Sequence, residues 1–569
     1  MRQFKALLIL SVFAATAFLA IQPVPSQTTS SVSADSILAT VADLTGESGF
    51  GPPSRFAPLP ETALYPQYLK DKLDRLLEPL GGSAELVAFD PEFEVLVGDS
   101  IRNPYTNVFA SVPGKLADQK PGFFMLGAHL DATAQRDEEF EANFRTHPAP
   151  GADDNASGVA VVAEVARVMA AENLRPDANL VFTFFDGEEQ QVPETDKFLL
   201  GSRVMAERDL STLEEEFGPL LGFVNLDMVA YNPRQDSLVV VTNIPSRWLA
   251  NQLIEVYEEL GLPNFMMTRA VEALTFSDHG PFWEVGKSAV LIIENPSIQR
   301  HAPHYHKQTD TIANTFLRGG SQAQRAGEVV LELVRRWSQS GTTSGLHVTG
   351  ESILIQKGNR VDAVEFETGD EAVVRVGVTN RGPTRTEPWS VEVDIKVDGV
   401  TAETLGMRQG RTPLPAGAAE FLEFPWTVSA AARGGPSIEV KVRAANNDGE
   451  LETQRVVAVG NPGAELLRAY VYPNPTRFAE GARLHYELTE PGAVRLILMD
   501  ISGRELGVKD IPFDRVFPDP GTAVGAADLP LADLFSVQDL APGLYLIRIE
   551  QFQDSGSVGI AFARWALLK

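Results

Sequence analysis

The spacing of hydrophobic and polar positions changes along the chain. As far as about residue 340, apolar runs of strand length alternate with helical patterns such as "YLKDKLDRLLEPLGG", whose leucines recur every three or four residues before a glycine stop. Beyond "SQSGTTSG", strict alternation takes over in segments such as "SVEVDIKVDG", which end in glycine-bearing turns. The pattern predicts an α/β unit over 33–340, with a mixed, mostly parallel sheet flanked by helices, and two small β-sandwiches over 346–460 and 466–569.

The first residues have the pattern of an export signal. "MRQFK" carries two basic residues, and the uncharged run "ALLILSVFAATAFLA" follows, which is short for a membrane span. We predict a signal peptide over 1–26, cleaved after Ala17 or nearer Ser26, and no membrane span once it is removed. A retained N-terminal anchor is the alternative.

Composition narrows the possible functions. The formal net charge is -28, from 48 basic and 76 acidic side chains, which argues against nucleic acid or an anionic membrane as a partner. The chain has 0 cysteines, so disulfides, thiol nucleophiles and cysteine-based zinc sites are excluded.

Acidic residues and histidines follow several of the predicted strands. The apolar runs "GFFMLGAHLD", "NLVFTFFDGEE" and "LLGFVNLDM" all end in such residues. In open α/β sheets, side chains at the carboxyl ends of strands converge on one crevice. The helix-opening stretch "PGADDNASGV" and the histidine-rich "HAPHYHKQTDT" add further candidates. Taken alone, "PGADDNASGV" is equally compatible with a helix cap.

Taken together, these residues form a nitrogen and oxygen ligand set that suits zinc. A two-metal site needs one bridging carboxylate, two further ligands on each ion and one free carboxylate that accepts a proton from water. The chain offers enough donors: Glu188 as the free carboxylate and, as ligands, His129, Asp154, Glu189, Asp227 and His306.

Six motifs stand in the order and at the spacing of a known family. "GAHLDAT", "PGADDNASGV", "FDGEE", "NLDM", "FSDHGPF" and "YHKQTDT" resemble the zinc metallopeptidases of family 28, which include secreted bacterial aminopeptidases. The resemblance covers roughly residues 60–340. It implies a zinc aminopeptidase-like fold, two Zn²⁺ ions, and peptide or protein substrates with a free N-terminus.

The resemblance also implies a role for each candidate. His129 and Asp227 would hold one zinc ion, Glu189 and His306 the other, and Asp154 would bridge both, with Glu188 as the general base. Asp131 and Asp310 would orient the two metal-bound histidines. His279, in "FSDHGPF", would either shape the substrate pocket or serve as a structural loop residue.

Two other functions compete with the aminopeptidase. The insertion "QQVPETDKFL" before "LGSR" resembles one in glutaminyl cyclases, which use one zinc on this fold. Those enzymes place tryptophan in this loop and before the last metal-bound histidine, whereas Tyr305 precedes His306 here. A catalytically dead surface-binding protein is a third possibility, but all six expected catalytic and ligand positions are filled. We therefore predict an aminopeptidase, with the cyclase as the alternative.

The last 100 residues or so resemble the sorting domains of type IX secretion in Gram-negative bacteria, through "VYPNPT", "YELTEPGAVRLILMDISGREL" and "LAPGLYLIRIE". The resemblance implies recognition by outer-membrane secretion machinery and a secreted or cell-surface location. The intervening "FDRVFPDPGTAVGAADLPLADLF" departs from the pattern, so a generic Ig-like surface module stays open.

Overall fold

The structure is a computed structural model that describes residues 31–567. The predicted signal peptide, over 1–26, lies outside the described residues, as do the linker at 339–344 and most of the insertion that follows Glu189. The ranges not described within 31–567 are 90–104, 191–197, 235, 263–265, 271–273, 295–301, 339–344, 362, 364, 398, 433–436, 445–449, 460–465, 473–481, 489–492, 501–504, 512–524, 537–539, 541–542 and 554–555.

An eight-stranded mixed sheet forms the centre of the first unit, with the order β1-β2-β4-β3-β5-β8-β6-β7. Four neighbouring pairs are parallel, among them β4-β3, β3-β5 and β5-β8 at the centre, and three pairs are antiparallel. The strands are Ser83–Phe89 (β1), Tyr105–Val112 (β2), Phe123–His129 (β3), Asn179–Phe185 (β4), Leu220–Leu226 (β5), Leu238–Thr242 (β6), Met266–Ala270 (β7) and Ala289–Ile293 (β8).

Helices cover both faces of this sheet, because the central strands are apolar on both sides. On β3, Phe124 and Leu126 belong to one hydrophobic cluster, and Phe123 and Met125 belong to another on the opposite face. The helices are Ala34–Leu44 (α1), Leu64–Leu77 (α2), Phe140–Asn143 (α3), Gly158–Ala171 (α4), Leu200–Val204 (α5), Leu210–Phe217 (α6), Arg247–Glu259 (α7), His279–Glu284 (α8), Ile312–Thr315 (α9) and Ser321–Trp337 (α10). The amphipathic pattern in "YLKDKLDRLLEPLGG" thus corresponds to α2.

The middle unit consists of antiparallel sheets with a small parallel pair. The two larger sheets run β10-β12-β15 and β14-β13-β16-β17; β9 pairs with β12, and β11 pairs with β18. The strands are Leu346–His347 (β9), Ile353–Gln356 (β10), Glu365–Phe366 (β11), Glu371–Asn380 (β12), Trp389–Val397 (β13), Val400–Gln409 (β14), Ala419–Thr427 (β15), Ser437–Ala444 (β16), Glu450–Val456 (β17) and Ala458–Val459 (β18).

The middle unit shares a continuous hydrophobic core with the first. Trp337, at the end of α10, stacks on Phe124 of β3 with ring centroids 3.8 Å apart, and Gly417 of the middle unit lies against the Trp337 ring. Gln252 of α7 donates a hydrogen bond to the Gly417 carbonyl at 2.9 Å, and Arg381 pairs with Glu255 at 2.9 Å. The two units are therefore packed together rather than merely tethered.

The C-terminal unit is also antiparallel, with sheets β19-β20-β23 and β22-β21-β24-β25 around a core that includes Tyr486 and Trp565. Its elements are Leu466–Tyr472 (β19), Arg483–Leu488 (β20), Ala493–Asp500 (β21), Glu505–Ile511 (β22), Gly525–Pro530 (β23), Leu531–Leu534 (α11), Gly543–Gln553 (β24) and Gly556–Leu567 (β25). The predicted fold class is confirmed, and the boundaries 33–340, 346–460 and 466–569 stay predictions. In the described part of the chain, no helix has the length and apolar character needed to cross a membrane.

Candidate metal centre and cleft

The predicted ligands meet at the carboxyl edge of the central sheet. His129 is the last residue of β3, Asp227 directly follows β5, and Glu189 comes four residues after β4 ends. Because β4, β3 and β5 are neighbouring parallel strands, their polar ends fall side by side. The loop before α4 brings Asp154 to the same edge, and the segment after β8 brings His306.

Asp154 lies between two pairs of candidate metal ligands. Its Oδ1 is 3.2 Å from Nε2 of His129, which is also 3.3 Å from Oδ1 of Asp227. Its Oδ2 is 3.1 Å from Nε2 of His306, which is also 3.0 Å from Oε1 of Glu189. One carboxylate thus faces two half-sites, which is the arrangement expected of a bridging ligand.

The charges of these buried groups favour a cation. Burial alone would lower the pKa of His306, but the charges of Glu189 and Asp154 raise it to about 10. Burial raises the pKa of Glu189 to about 7. The carboxylates therefore stabilise positive charge in the cluster, and a bound metal ion would provide that charge. Two imidazoles with three carboxylates fit zinc by donor type.

Glu188 lies beside this cluster. Burial, together with the charges of Glu189, Asp278 and Asp227, raises the pKa of Glu188 well above its usual range. A carboxylate oxygen of Glu188 is also within 4.8 Å of donor atoms of His129 and Asp227. Ligand atoms of His129, Asp154 and Glu189 likewise lie within 4.8 Å of one another. The position of Glu188 thus suits either a metal ligand or a base next to the metal.

Asp131 holds the turn that carries Glu188 and Glu189. Its two carboxylate oxygens accept hydrogen bonds from the backbone N–H groups of Glu188 at 3.0 Å and Glu189 at 3.2 Å. Asp131 Oδ1 is also 3.7 Å from Nδ1 of His129, so it faces the ring nitrogen that the predicted orienting role requires.

The prediction that Asp310 orients His306 is wrong. The Asp310 carboxylate accepts hydrogen bonds from the backbone N–H groups of Asp153 at 2.9 Å and Asp154 at 3.0 Å. The side chain that faces Nδ1 of His306 is Gln135, whose Nε2 is 3.0 Å away. Asp310 therefore holds the loop of the bridging residue, because two adjacent backbone N–H groups offer a carboxylate both of its hydrogen bonds.

The neighbours of Asp154 have structural roles. The side chain of Asn155 accepts a hydrogen bond from the Gly158 N–H at 2.9 Å, at the start of α4. Asp153 accepts one from the Ala230 N–H at 2.9 Å, in the segment after β5. These contacts fix the loop so that Asp154 points into the cluster.

Arg55 is a residue that the sequence interpretation missed. Its buried guanidinium donates hydrogen bonds to four backbone carbonyls: Leu130 at 2.9 Å, Leu44 at 3.3 Å, Gly151 at 2.7 Å, and Pro150. Leu130 directly follows His129, and Gly151 precedes Asp154 by three positions. Arg55 therefore ties two ligand-bearing segments together, and its position in "PPSRF" gives no periodic or motif signal.

The "FSDHGPF" segment contributes more than its histidine. Ser277 donates a hydrogen bond to Oδ2 of Asp227 at 2.7 Å, and Thr275 and Phe276 line the cleft. His279 is buried, its ring contacts the Leu274 carbonyl at 2.7 Å, and burial lowers its pKa to about 4. His279, the first residue of α8, is therefore a structural residue and does not line the cleft.

A cleft of about 390 Å³ opens onto the cluster. Besides the candidate ligands and Glu188, its lining combines apolar and charged side chains. The lining residues outside the cluster include Gln135, Arg136, Phe198, Arg203, Met228, Phe276, Glu284, Ile293 and Tyr305.

A mixed α/β sheet thus carries a buried cluster of histidines and carboxylates at its carboxyl edge, and this set of side chains could hold a metal ion. Within this chain, residues 107–334 match the model of Peptidase family M28. A "Probable zinc metalloprotease" of Pyrenophora teres f. teres is 33% identical over 139 residues, which cover 24% of this chain and 26% of that protein. "Aminopeptidase YwaD" of Bacillus subtilis is 30% identical over 192 residues, 32% of this chain and 37% of that protein. The matched region, 107–334, holds all of the candidate metal ligands and Glu188.

The matches are partial, since the chain spans about a quarter to two fifths of the length of these two curated relatives. Among solved structures, a Zn-dependent exopeptidase from Parabacteroides distasonis is similar at 21% identity and a TM-score of 0.42, over 54% of this chain and 99% of that one. Glutaminyl cyclases also appear among the similar folds.

Proposed function

We propose that this protein is an aminopeptidase that uses two zinc ions and removes N-terminal residues from peptides. The observation that carries the proposal is the position of Asp154, with one oxygen toward His129 and the other toward His306. A carboxylate shared between two half-sites is the arrangement that a two-metal hydrolase needs.

Each half-site has the donors for one ion. His129, Asp154 and Asp227 would hold the first ion, and Asp154, Glu189 and His306 the second. Bound zinc would polarise the scissile carbonyl and lower the pKa of the attacking water. The donor set fits this metal because it contains imidazole and carboxylate groups only.

Glu188 is the proton carrier in this mechanism. Its carboxylate accepts a proton from the attacking water and delivers it to the leaving amine. The Asp131 hydrogen bond to its backbone N–H fixes the turn from which the side chain projects.

The cleft fits a peptide end. Carboxylates near the metals can receive a free α-amine through charge-assisted hydrogen bonds. Apolar side chains on the cleft wall, Met228, Phe276 and Ile293, offer a surface for the first side chain of the substrate.

Hydrolysis of aminoacyl p-nitroanilides tests the proposal. We expect turnover by the zinc-loaded protein, loss of turnover with a chelator, and a fall of about 10²- to 10⁴-fold in kcat for Glu188→Gln. Zinc content of the variant should stay near two ions per chain. Glu216→Gln, at an exposed glutamate of α6 outside the cleft lining, is the matched control. Full activity of Glu188→Gln would overturn the assignment of the base.

Glutaminyl-peptide cyclisation with a single zinc ion is the second candidate. The insertion after Glu189 favours it, since it resembles the one in glutaminyl cyclases. Tyr305 before His306 argues against it, because those enzymes carry tryptophan at that position.

We also propose that the C-terminal unit, 466–569, directs the protein to the outer-membrane secretion machinery. The sequence resemblance to type IX sorting domains supports this. Expression in a bacterium with that route, with and without residues 466–569, tests it: only the full chain should reach the cell surface or the medium.

A further inference from the structure

Two arginines line the cleft, and their surroundings differ. The guanidinium of Arg203 is 2.5 Å from Oε2 of Glu284 and 3.3 Å from Oε1 of Glu207. Its charge is therefore already compensated by carboxylates of the protein.

Arg136 has no such compensation. It is exposed, and within the described part of the chain it forms no ion pair within 4 Å. The centre of its guanidinium lies 4.4 Å from the centroid of the Tyr305 ring. Stacking on an aromatic face holds the guanidinium plane and leaves its N–H edges free to donate hydrogen bonds.

The backbone of Arg136 is fixed to the metal centre. Its N–H donates a hydrogen bond to the carbonyl of His306 at 3.0 Å. The preceding residue, Gln135, contacts the His306 ring at 3.0 Å. Arg136 therefore presents its charge at a defined place beside the second half-site.

A carboxylate is the ligand that fits this group. A guanidinium binds a carboxylate through two parallel hydrogen bonds, which is the strongest pairing open to it. The protein as a whole carries a net charge of -28 and repels anions, so a carboxylate in the cleft needs a local cation.

We propose that Arg136 binds a carboxylate of the peptide substrate, so that the enzyme prefers short or acidic peptides. This inference rests on the proposed aminopeptidase function. The carboxylate comes either from the C-terminus of a dipeptide or from an acidic side chain.

The experiment compares kcat/KM for four substrates: Leu-Leu, Leu-Leu-amide, Leu-Glu-amide and Glu-Leu-amide. Leu-Leu-amide is the reference without a carboxylate, and the other three place one at the C-terminus, on the second side chain or on the first. We expect at least one of them to exceed the reference by about tenfold or more, the size of a hydrogen bond between charged groups. The preferred substrate identifies the source of the carboxylate.

Variants assign the preference to this residue. Arg136→Gln should abolish the ratio over Leu-Leu-amide, and Arg136→Lys should keep part of it because it retains the charge without the planar fork. Arg203→Gln, in the same cleft, should keep the ratio. No preference in the wild type, or the same ratio in Arg136→Gln, would overturn the inference. If the wild type cleaves none of the four peptides, the proposed function itself fails.

Discussion

Replacement of Arg55 by methionine tests how the metal-binding loops are held. The change removes a donor from four backbone carbonyls, those of Leu44, Leu130, Pro150 and Gly151, of which Gly151 keeps a second donor, the Ala156 N–H at 3.0 Å. Each buried acceptor that loses its partner costs about 1–3 kcal/mol. Burial disfavours the charge of Arg55, as its lowered pKa shows. Replacing the charged side chain by an apolar one therefore offsets part of the free-energy cost of the unpaired carbonyls. We expect a net loss of about 3–5 kcal/mol, at the lower end of what three unpaired buried acceptors would cost.

Urea unfolding of the zinc-loaded protein measures this loss. Arg75→Met is the matched control, because Arg75 is exposed on α2, and its effect should stay within about 0.5 kcal/mol. Since Arg55 positions the segments of His129 and Asp154, zinc affinity should also fall by roughly 10–100-fold. A loss below about 1 kcal/mol with unchanged zinc affinity would refute the role given to Arg55.

Two further predictions concern the centre and its surroundings. Asp154→Asn leaves one side-chain oxygen where two half-sites need one each, so zinc measured by elemental analysis should fall to about one ion per chain or fewer; two retained ions would contradict the bridging role. Burial, and then the charges of Asp153 and Asp310, raise the pKa of Glu294 well above its ordinary value. In the folded state Glu294 thus keeps a proton that it releases above about pH 4.3 in the unfolded chain. The free energy of unfolding therefore falls as pH rises from the pKa of Glu294 in the unfolded chain to its pKa in the folded protein. Glu294→Gln removes this cost, so its urea-derived stability relative to wild type should increase from pH 5 to pH 8, and a difference independent of pH would count against the shift.

The ligand positions could be predicted because they lie where the chain pattern changes. His129 and Asp227 come at the ends of apolar runs, and the parallel order of the sheet brings such ends together. The same reasoning predicted the mixed sheet and the antiparallel sheets that follow it. These features could be predicted because they depend on the residue pattern within each segment and on the direction of the strands.

Contacts between distant segments left no such signal. Arg55 and Gly151 are 96 positions apart, and nothing in the spacing of either residue indicates the other. The error at Asp310 has a related cause. Its closeness in sequence to His306 suggested a pair, but the backbone of His306 has a φ of 57°, and the following turn directs Asp310 to the Asp153 and Asp154 amides. Gln135, from another loop, occupies the place beside His306.

The sequence also did not predict that the middle unit packs against the first unit. The Ser/Gly/Thr linker predicted a separate sandwich, yet Trp337 is fully buried at the junction and Gly417 approaches its ring so closely that a Cβ would lie 2.2 Å from Cδ1. Such shape complementarity depends on tertiary structure and has no periodic pattern in either segment.

The most direct test of the central proposal is the mass of the product formed from a glutaminyl peptide, such as Gln-Leu-Leu-amide. The zinc-loaded protein is incubated with the peptide, and the products are measured by mass spectrometry beside the Glu188→Gln variant. We expect free glutamine and a peptide shortened by its first residue, with neither formed by the variant. A peptide of the original length that has lost ammonia would show cyclisation and contradict the aminopeptidase assignment.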